Sequence, residues 1–146
     1  MMVISVSLGT QSYPIILDSG VLSHAGEHLA LARRVLVVTD SGVPEEYAET
    51  VAGACRQARI CTVPAGESSK NMGSYQQLLG EMLALGMGRG DCVVAVGGGM
   101  VGDLAGFAAA TYQRGIPYIQ VPTTLLSMVD SSVGGKTAID LPAGKN

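Results

Sequence analysis

The chain has 146 residues, the size of one domain, which is enough to bury roughly 68–70% of the surface that the unfolded chain exposes. Its formal net charge is −3 and its nine Lys and Arg residues are scattered, so the basic patch typical of nucleic-acid binding is absent. No apolar run reaches the roughly 18–20 residues of a membrane span, and the start MMVISVSLGT does not read as a secretory signal. Three cysteines without metal or redox spacing are typical of reduced thiols. We therefore expect a cytoplasmic protein with no nucleic-acid or membrane partner.

The hydrophobic pattern predicts alternating strands and helices. Two short β-type runs, Val3–Leu8 and Tyr13–Leu17, predict an opening hairpin. Continuous apolar runs, typical of parallel strands covered on both faces, predict strands at Arg34–Thr39, Ile60–Val63, Cys92–Val96 and Tyr118–Val121. Helices are predicted at Val21–Leu31, Pro44–Ala58, Tyr75–Leu85, Val101–Thr111 and Thr123–Val129. This order indicates an α/β fold: a Rossmann-like, doubly wound, mostly parallel sheet with an N-terminal β-hairpin.

A glycine-rich turn directly follows the predicted strand CVVAV. It places the pattern G-x-G-x-x-G on Gly97, Gly99 and Gly102, between a buried strand and a helix, as dinucleotide binding requires. Glycines let the backbone approach a pyrophosphate, and the helix N-terminus offers unpaired N–H groups. The alternative is a turn built only for packing. The unit is third among the parallel strands, and Gln120 stands near where a ribose-binding acid is expected, so an ordinary Rossmann dehydrogenase is disfavoured.

Polar residues follow the other predicted strands, where ligands gather at the carboxyl edge of an open sheet. Asp40 follows the first parallel strand, and Glu67 and Lys70 follow the second. Thr123 and Thr124 follow the last. Each has an alternative role: a turn cap for Asp40, a solvated loop for Glu67 and Lys70, and a helix N-cap for either threonine.

The last third of the chain is poor in charge. Residues 92–146 contain only six ionic side chains: Asp103, Arg114, Asp130, Lys136, Asp140 and Lys145. Charges are rarely buried unless they are paired or functional, so each is a candidate for a cleft. Lys136, beside two glycines, and Arg114 are candidates for binding a phosphate or carboxylate. A P-loop is excluded because Asp130 stands where its first glycine would be.

The only two histidines form the pattern H-x-x-E-H at His24 to His28, which occurs in some zinc proteases. Gly26 weakens the helix that would place both rings on one face. We therefore predict no metal site in this chain.

Residues 97–146 closely resemble the 3-dehydroquinate synthases, a family of sugar-phosphate cyclases. The motifs that carry the resemblance are GGG…GD, RG, PTTLL, DSSVGGKT and GKN, in this order, and the upstream segments TDSG and PAGESSK extend it over nearly the whole chain. The resemblance implies that residues 1–146 are an NAD-binding N-terminal domain. It also implies a helical C-terminal domain, absent from this chain, that holds a divalent metal (zinc or cobalt) through one Glu and two His.

The resemblance also implies roles for individual residues. The cofactor-binding positions are Asp40, Glu67, Lys70, Gly98, Gly99, Met100, Val101, Gly102, Asp103, Thr123, Thr124 and Lys145. The positions that hold the sugar-phosphate substrate are Arg114, Asp130, Lys136 and Asn146. Met100 replaces the usual Val, and Gly42 replaces a polar residue, which puts one ribose contact in doubt.

The implied reaction converts 3-deoxy-D-arabino-heptulosonate 7-phosphate to 3-dehydroquinate plus phosphate in the shikimate pathway of aromatic amino acid biosynthesis. It proceeds by transient oxidation with NAD, β-elimination of phosphate and an intramolecular aldol closure. Alternatives are a related cyclase, such as a 2-epi-5-epi-valiolone or 2-deoxy-scyllo-inosose synthase, and a non-catalytic nucleotide-binding module. The resemblance further implies a homodimer in the full-length protein, in which Arg114 reaches the neighbouring site. We expect the chain alone to be inactive and to bind NAD weakly at best.

Overall fold

A computed structural model describes all residues, 1–146. The chain opens with the predicted antiparallel hairpin, β1 (Met2–Val6) and β2 (Tyr13–Leu17), in which Met2 lies opposite Leu17. The hairpin is tied to the last third of the chain, because the Tyr13 hydroxyl accepts a hydrogen bond from the Gly134 N–H at 2.8 Å. It forms a separate two-stranded sheet beside the main one.

The main sheet has four strands, all parallel. They are β3 (Arg34–Asp40), β4 (Gln57–Val63), β5 (Cys92–Gly97) and β6 (Tyr118–Pro122), in the spatial order β4-β3-β5-β6. The two central strands, β3 and β5, are buried on both faces almost throughout. Their apolar runs are continuous rather than alternating because no face of a central strand meets water.

Helices cover both faces of this sheet. A 3₁₀ turn (Val21–His24) and the short α1 (Ala25–His28) precede β3, and the longer helices are α2 (Glu45–Gly53), α3 (Met72–Ala84) and α4 (Gly99–Thr111). One core joins α3 and α4 to the face that carries Leu36 and Val93, and a second joins α2 to the face that carries Val35 and Val94. The predicted doubly wound α/β architecture is therefore confirmed. None of the helices is both long and apolar enough to cross a bilayer.

Several predicted boundaries are wrong. The second predicted helix was expected to reach Ala58, but α2 ends at Gly53 because Gln57 already pairs with Arg34 to start β4. The predicted helix at 21–31 is two short turns, since the chain must bend to enter β3. Helix α3 starts three residues earlier than predicted, where the Asn71 side chain accepts a hydrogen bond from the Ser74 N–H at 2.8 Å. The helix predicted at 123–129 begins at Leu125 and ends in a π-helical turn, Ser127–Ser131, two residues beyond the predicted end.

The strand order fixes where a ligand would bind. The connection after β3 leads outward to β4, whereas the connection after β5 leads to β6 on the other side. The loops that leave these two neighbouring strands therefore diverge, and a crevice opens between them at the carboxyl edge.

Candidate functional site at the carboxyl edge of the sheet

A cleft of about 350 Å³ occupies this crevice. It is bounded by the loop after β3, the glycine turn after β5 and the start of the segment after β6; its lining residues are Asp40, Gly42, Val43, Pro44, Tyr47, Gly98, Thr123 and Thr124. Three segments that are distant in sequence thus meet, because parallel strands all end at the same edge.

Close approach, rather than backbone conformation, accounts for Gly97 and Gly99, since no glycine of the turn has a positive φ. A Cβ on Gly97 would lie 2.7 Å from the Val101 side chain, which packs underneath. On Gly98 it would lie 3.4 Å from Thr124, and on Gly99 it would lie 3.1 Å from the Ser131 hydroxyl. The turn is therefore a narrow cradle that side chains would fill.

Helix α4 begins in this cradle with free backbone donors. Gly98, its N-cap residue, provides no side-chain cap, and the N–H groups of Gly99, Met100 and Val101 have no partner within the helix. Together with the positive end of the helix dipole, they favour an anion such as a pyrophosphate. The cradle and the donors fit a dinucleotide. The Val101 side chain is buried in the core, so only its backbone can contact a ligand.

Asp40 serves the turn and faces the cleft at the same time. One carboxylate oxygen accepts a hydrogen bond from the Gly42 N–H at 2.8 Å, which is the turn-cap role considered for this residue. The second oxygen is available to a ribose hydroxyl. Next to it, the buried Thr39 hydroxyl has no hydrogen-bond partner.

The two threonines after β6, Thr123 and Thr124, differ in their hydrogen bonds. The Thr124 hydroxyl accepts a hydrogen bond from the Ser127 N–H at 3.2 Å and lies 2.8 Å from the Ser127 hydroxyl, so it caps the helical turn that follows. Thr123 donates its backbone N–H to the Gly97 carbonyl at 3.0 Å, and this bond joins β6 to the glycine turn. The N-cap alternative therefore describes Thr124.

Lys70 is the centre of a buried polar cluster. Its side chain is 4% exposed, and its Nζ lies 3.0 Å from Glu67 Oε1, 3.1 Å from Asp103 Oδ2 and 2.6 Å from Asn146 Oδ1. Asp140 Oδ1 is 3.7 Å away. Burial by itself lowers the pKa of Lys70, but the interactions of its ammonium with the Glu67 and Asp103 carboxylates outweigh it, so the pKa is raised and the ammonium stays charged.

The sequence predicted no specific role for Asp140, one of the six charges in residues 92–146, and the structure places it in this cluster. Its carboxylate accepts a hydrogen bond from the Asn146 N–H at 3.0 Å, which is the main reason that the pKa of Asp140 is lowered. Its own N–H donates to the Lys70 carbonyl at 2.8 Å. The signal that could have identified it was its position, between GGKT and GKN in a segment with few charges.

Lys136 and Asp130 form a separate, exposed pair. Their Nζ and Oδ1 atoms are 3.0 Å apart, and the side chains are 67% and 61% exposed. Asp130 directly precedes Ser131, whose hydroxyl would lie 3.1 Å from a Cβ on Gly99, so the pair lies on the same edge as the glycine turn. Lys145 is exposed on the last segment of the chain.

Arg114 lies away from the other candidates. It follows the C-terminal end of α4, whereas the glycine turn is at the N-terminal end, and 13 helical residues separate the two by about 20 Å. Within one copy of the chain, the structure does not bring Arg114 to the cleft.

The two histidines also lie outside the site. His24 Nδ1 is 3.2 Å from Glu27 Oε1 on an exposed turn, and no group of three or more His, Cys, Asp or Glu side chains is arranged to hold a metal ion.

Solved structures define the class of this domain. A 2-deoxy-scyllo-inosose synthase solved with carbaglucose-6-phosphate, NAD+ and Co²⁺ superposes with a TM-score of 0.90 at 31% identity, over 99% of this chain and 41% of that one. A 2-epi-5-epi-valiolone synthase from Streptomyces hygroscopicus subsp. jinggangensis, with NAD+ and Zn²⁺ bound, gives 0.81 at 33% identity, over 97% and 41%. The fold is thus that of the α/β domain of sugar-phosphate cyclases.

The sequence comparisons identify the family. The family model described as 3-dehydroquinate synthase N-terminal matches residues 60–146, which is more than half of the chain. A 3-dehydroquinate synthase from Pelobacter propionicus is 48% identical over all of this chain and 43% of its own length. The chain therefore belongs to the 3-dehydroquinate synthase family. It spans about two-fifths of the length of the curated relatives it matches.

Proposed function

We propose that this chain is the NAD-binding N-terminal domain of a cytoplasmic 3-dehydroquinate synthase. The whole enzyme would be a lyase that converts 3-deoxy-D-arabino-heptulosonate 7-phosphate to 3-dehydroquinate and phosphate. The observation that carries the proposal is the cleft at the switch point, where Asp40, Gly98 and Thr123 meet from three strands. The 48% identity to a named 3-dehydroquinate synthase supports this choice among the cyclases.

The chain's own groups suggest how the dinucleotide would be held. The uncapped N–H groups at the start of α4 would bind the pyrophosphate, and the Gly98–Gly99 cradle would let it approach the backbone. Asp40 would accept a hydrogen bond from a ribose hydroxyl through the oxygen that its turn does not use. Thr123 would contact the other half of the molecule. When bound, NAD would supply the transient oxidation of a substrate hydroxyl.

The exposed pair would hold the substrate. The Lys136 ammonium would bind the phosphate or carboxylate of the sugar, and the Asp130 carboxylate would accept a hydrogen bond from a hydroxyl. Exposure suits this role, because the ion pair can open for a ligand at little cost. Asn146 would contribute its side-chain amide from the last segment. Fixing the substrate in this way would keep it in line with the cofactor through both hydride transfers.

The residues of this chain do not fit the metal that the two solved cyclases contain. We propose that a helical C-terminal domain holds the metal, that the chain alone is inactive, and that the whole protein is a homodimer in which Arg114 serves the neighbouring copy. The position of Arg114 at the far edge is consistent with this arrangement.

A titration of the chain with NAD tests the cofactor site. We expect weak but saturable binding that raises the melting temperature. Gly98→Val should abolish it, because the new side chain would fill the space beside Thr124. Gly90→Val is the matched control, since nothing lies within 4 Å of a Cβ at Gly90. Equal binding by both variants would contradict the proposed site.

Chimeras test the reaction. This chain would replace the corresponding region of the Pelobacter propionicus 3-dehydroquinate synthase, and phosphate release would be measured. The matched chimera uses 2-deoxy-scyllo-inosose synthase, the second candidate, which is favoured by its TM-score of 0.90. We expect activity only in the first chimera. Activity only in the second would favour the alternative cyclase, and NAD binding without activity in either would favour a non-catalytic module.

A further inference from the structure

The arginines of the chain are scattered in the sequence but gathered in the fold. Each lies either in the segment that leads into a parallel strand or within the first residues of one; they are Arg33, Arg34, Arg56, Arg59, Arg89 and Arg114. Because the four strands are parallel, these segments all meet at the amino edge of the sheet, opposite the cleft. The fold therefore concentrates positive charge at one edge.

Most of this charge is not neutralised. Among the six arginines only Arg59 forms an ion pair, with Glu81 at 2.9 Å. Asp91 lies at the same edge, but its carboxylate is bound to the main chain: its oxygens accept hydrogen bonds from the N–H groups of Arg34 at 3.0 Å and Gly88 at 2.7 Å. Positive charge thus exceeds negative charge at this edge, although the whole chain has a net charge of −3.

Main-chain carbonyl oxygens orient three of the guanidinium groups. Arg33 donates to the carbonyls of Ala30 and Gly90, at 2.7 and 3.1 Å. Arg34 and Arg89 each donate to one main-chain carbonyl, at 2.8 and 3.2 Å. A neutral carbonyl fixes a guanidinium without cancelling its charge, and each group keeps N–H donors that a ligand can use. The edge is therefore partly organised for binding an anion.

The spacing of these charges fits an extended ligand. Arg33, Arg34, Arg56 and Arg89 belong to the starts of three adjacent strands, β4, β3 and β5. Neighbouring strands are about 4.8 Å apart, so the four charges spread over about 10 Å rather than converging on one phosphate. Three residues of an extended peptide span the same length, and their side chains can present carboxylates to the planar guanidinium groups.

The rest of the surface favours a short ligand over a long polyanion. The isoelectric point of the chain is about 5.2, whereas a domain that binds nucleic acid typically has a value above about 9. Four carboxylates without an ion pair lie towards the opposite edge, in the loop after β3 and in α2: Asp40, Glu45, Glu46 and Glu49. A long polyanion would extend towards this acidic region, whereas a short acidic peptide needs only the amino edge.

We propose that Arg33, Arg34, Arg56 and Arg89 form a docking surface for a short acidic segment of a partner protein. These four residues are the amino-edge arginines. The surface is separate from the cleft and does not depend on the proposed function. Binding to it would be electrostatic, so it would be fast and sensitive to salt.

The test uses fluorescent hexaglutamate as the probe. We expect saturable binding to the chain that is lost when the salt concentration rises from about 50 mM to about 500 mM, because exposed charges are then screened. In NMR spectra of the isotope-labelled chain, the amides of Gly86 and Gly90 should shift and those of Gly98 and Gly99 should not. No binding at low salt, or shifts confined to the glycine turn, would overturn the inference.

Arg56→Gln and Arg89→Gln test the arginines themselves. Both side chains are exposed, and the Arg56 guanidinium makes no hydrogen bond within the chain, so the fold should not change. Each variant should weaken hexaglutamate binding roughly twofold to fivefold, as expected for an exposed charge pair. Arg56→Lys should keep most of the affinity, because it keeps the charge. Unchanged affinity in both Gln variants would contradict the docking surface.

Lys136→Gln is the matched control, because it removes one exposed positive charge from the opposite edge. It should leave hexaglutamate binding unchanged; an equal loss would mean that the probe senses only the net charge, which would overturn the inference. A short DNA duplex distinguishes the class of partner. If the duplex binds the amino-edge arginines more tightly than hexaglutamate at the same salt concentration, the assignment of an acidic peptide is wrong.

Discussion

Two lysines at the carboxyl edge of the sheet each pair with a carboxylate at nearly the same distance, yet one lysine is buried and the other is exposed. Lys70 Nζ is 3.1 Å from Asp103 and its side chain is 4% exposed. Lys136 Nζ is 3.0 Å from Asp130 and its side chain is 67% exposed. The distance between the charges therefore says little about how much either ion pair contributes to the stability of the fold.

Burial decides the difference. An exposed ion pair contributes about 0–1 kcal/mol, since water competes for both charges. A buried ammonium has left water, so it depends on its partners, and its loss leaves their carboxylates without a counter-charge. We therefore expect the Lys70 pairs to contribute more to stability than the Lys136 pair, which can open at little cost.

The largest effect is expected from Lys70→Met. It should lower the free energy of unfolding by about 3 kcal/mol, the low end for breaking a buried pair, because the partner carboxylates are partly exposed. Urea unfolding measures it. A loss below about 1 kcal/mol would mean that Lys70 behaves as an exposed lysine does.

Gly97→Ala should come next, with a loss of about 1–3 kcal/mol, because the new methyl group would lie 2.7 Å from the Val101 side chain in a packed core. Gly80→Ala is the control. Gly80 is exposed within α3 with nothing near its Cβ, so this variant should gain roughly 0.5–1 kcal/mol from helix propensity. Thermal unfolding of both variants checks the prediction, and a similar loss in each would contradict the packing argument.

Alkaline pH should weaken the fold through two half-buried groups, the Cys55 thiol and the Tyr118 phenol. Burial raises the pKa of the Cys55 thiol from 9.0 to about 11, and burial together with nearby Asp103 raises that of Tyr118 from 10.0 to about 12. The unfolded chain therefore loses these protons first, so their contribution is complete below pH 9 and is lost as the pH rises through the native pKa values. Urea unfolding at pH 7, 9 and 11 measures it. Cys55→Ala should reduce the loss, and a stability that is flat to pH 11 would contradict the assignment.

The smallest effect on stability is expected from Lys136→Met, within about 0.5 kcal/mol, and 1 M salt should remove it. In the 3-dehydroquinate synthase chimera the same variant should instead reduce phosphate release strongly, because the substrate would lose its cation. A large loss of stability with unchanged turnover would reverse the roles proposed for the two lysines.

The strands were the most predictable part of the fold. The run CVVAV and the centre of RVLVVT, Val35–Val38, are apolar at every position, which is typical of a strand covered on both faces. The sequence also located the glycine turn, because the Gly97–Gly102 pattern follows directly on such a run. Helix ends were less predictable: α2 stops at Gly53 because β4 pairs with β3, and that pairing is not local.

The candidate site could be predicted as a set of residues but not as a geometry. Asp40, Gly98 and Thr123 follow different strands, and only the parallel strand order brings them to one cleft. Arg114 belongs to the same series of family motifs, yet the length of α4 places it at the opposite edge. No sequence pattern distinguishes the motif residues that reach the cleft from Arg114, which does not.

By itself, the sequence determined the fold class, the glycine turn and the family motifs, because each depends on residues that are close together in the chain. The tertiary structure decided that Lys70 is buried with three acceptors while Lys136 is exposed. Burial and charge pairing depend on which distant segments pack together. That packing, more than the residue type, sets how much a charged side chain contributes to the stability of the fold.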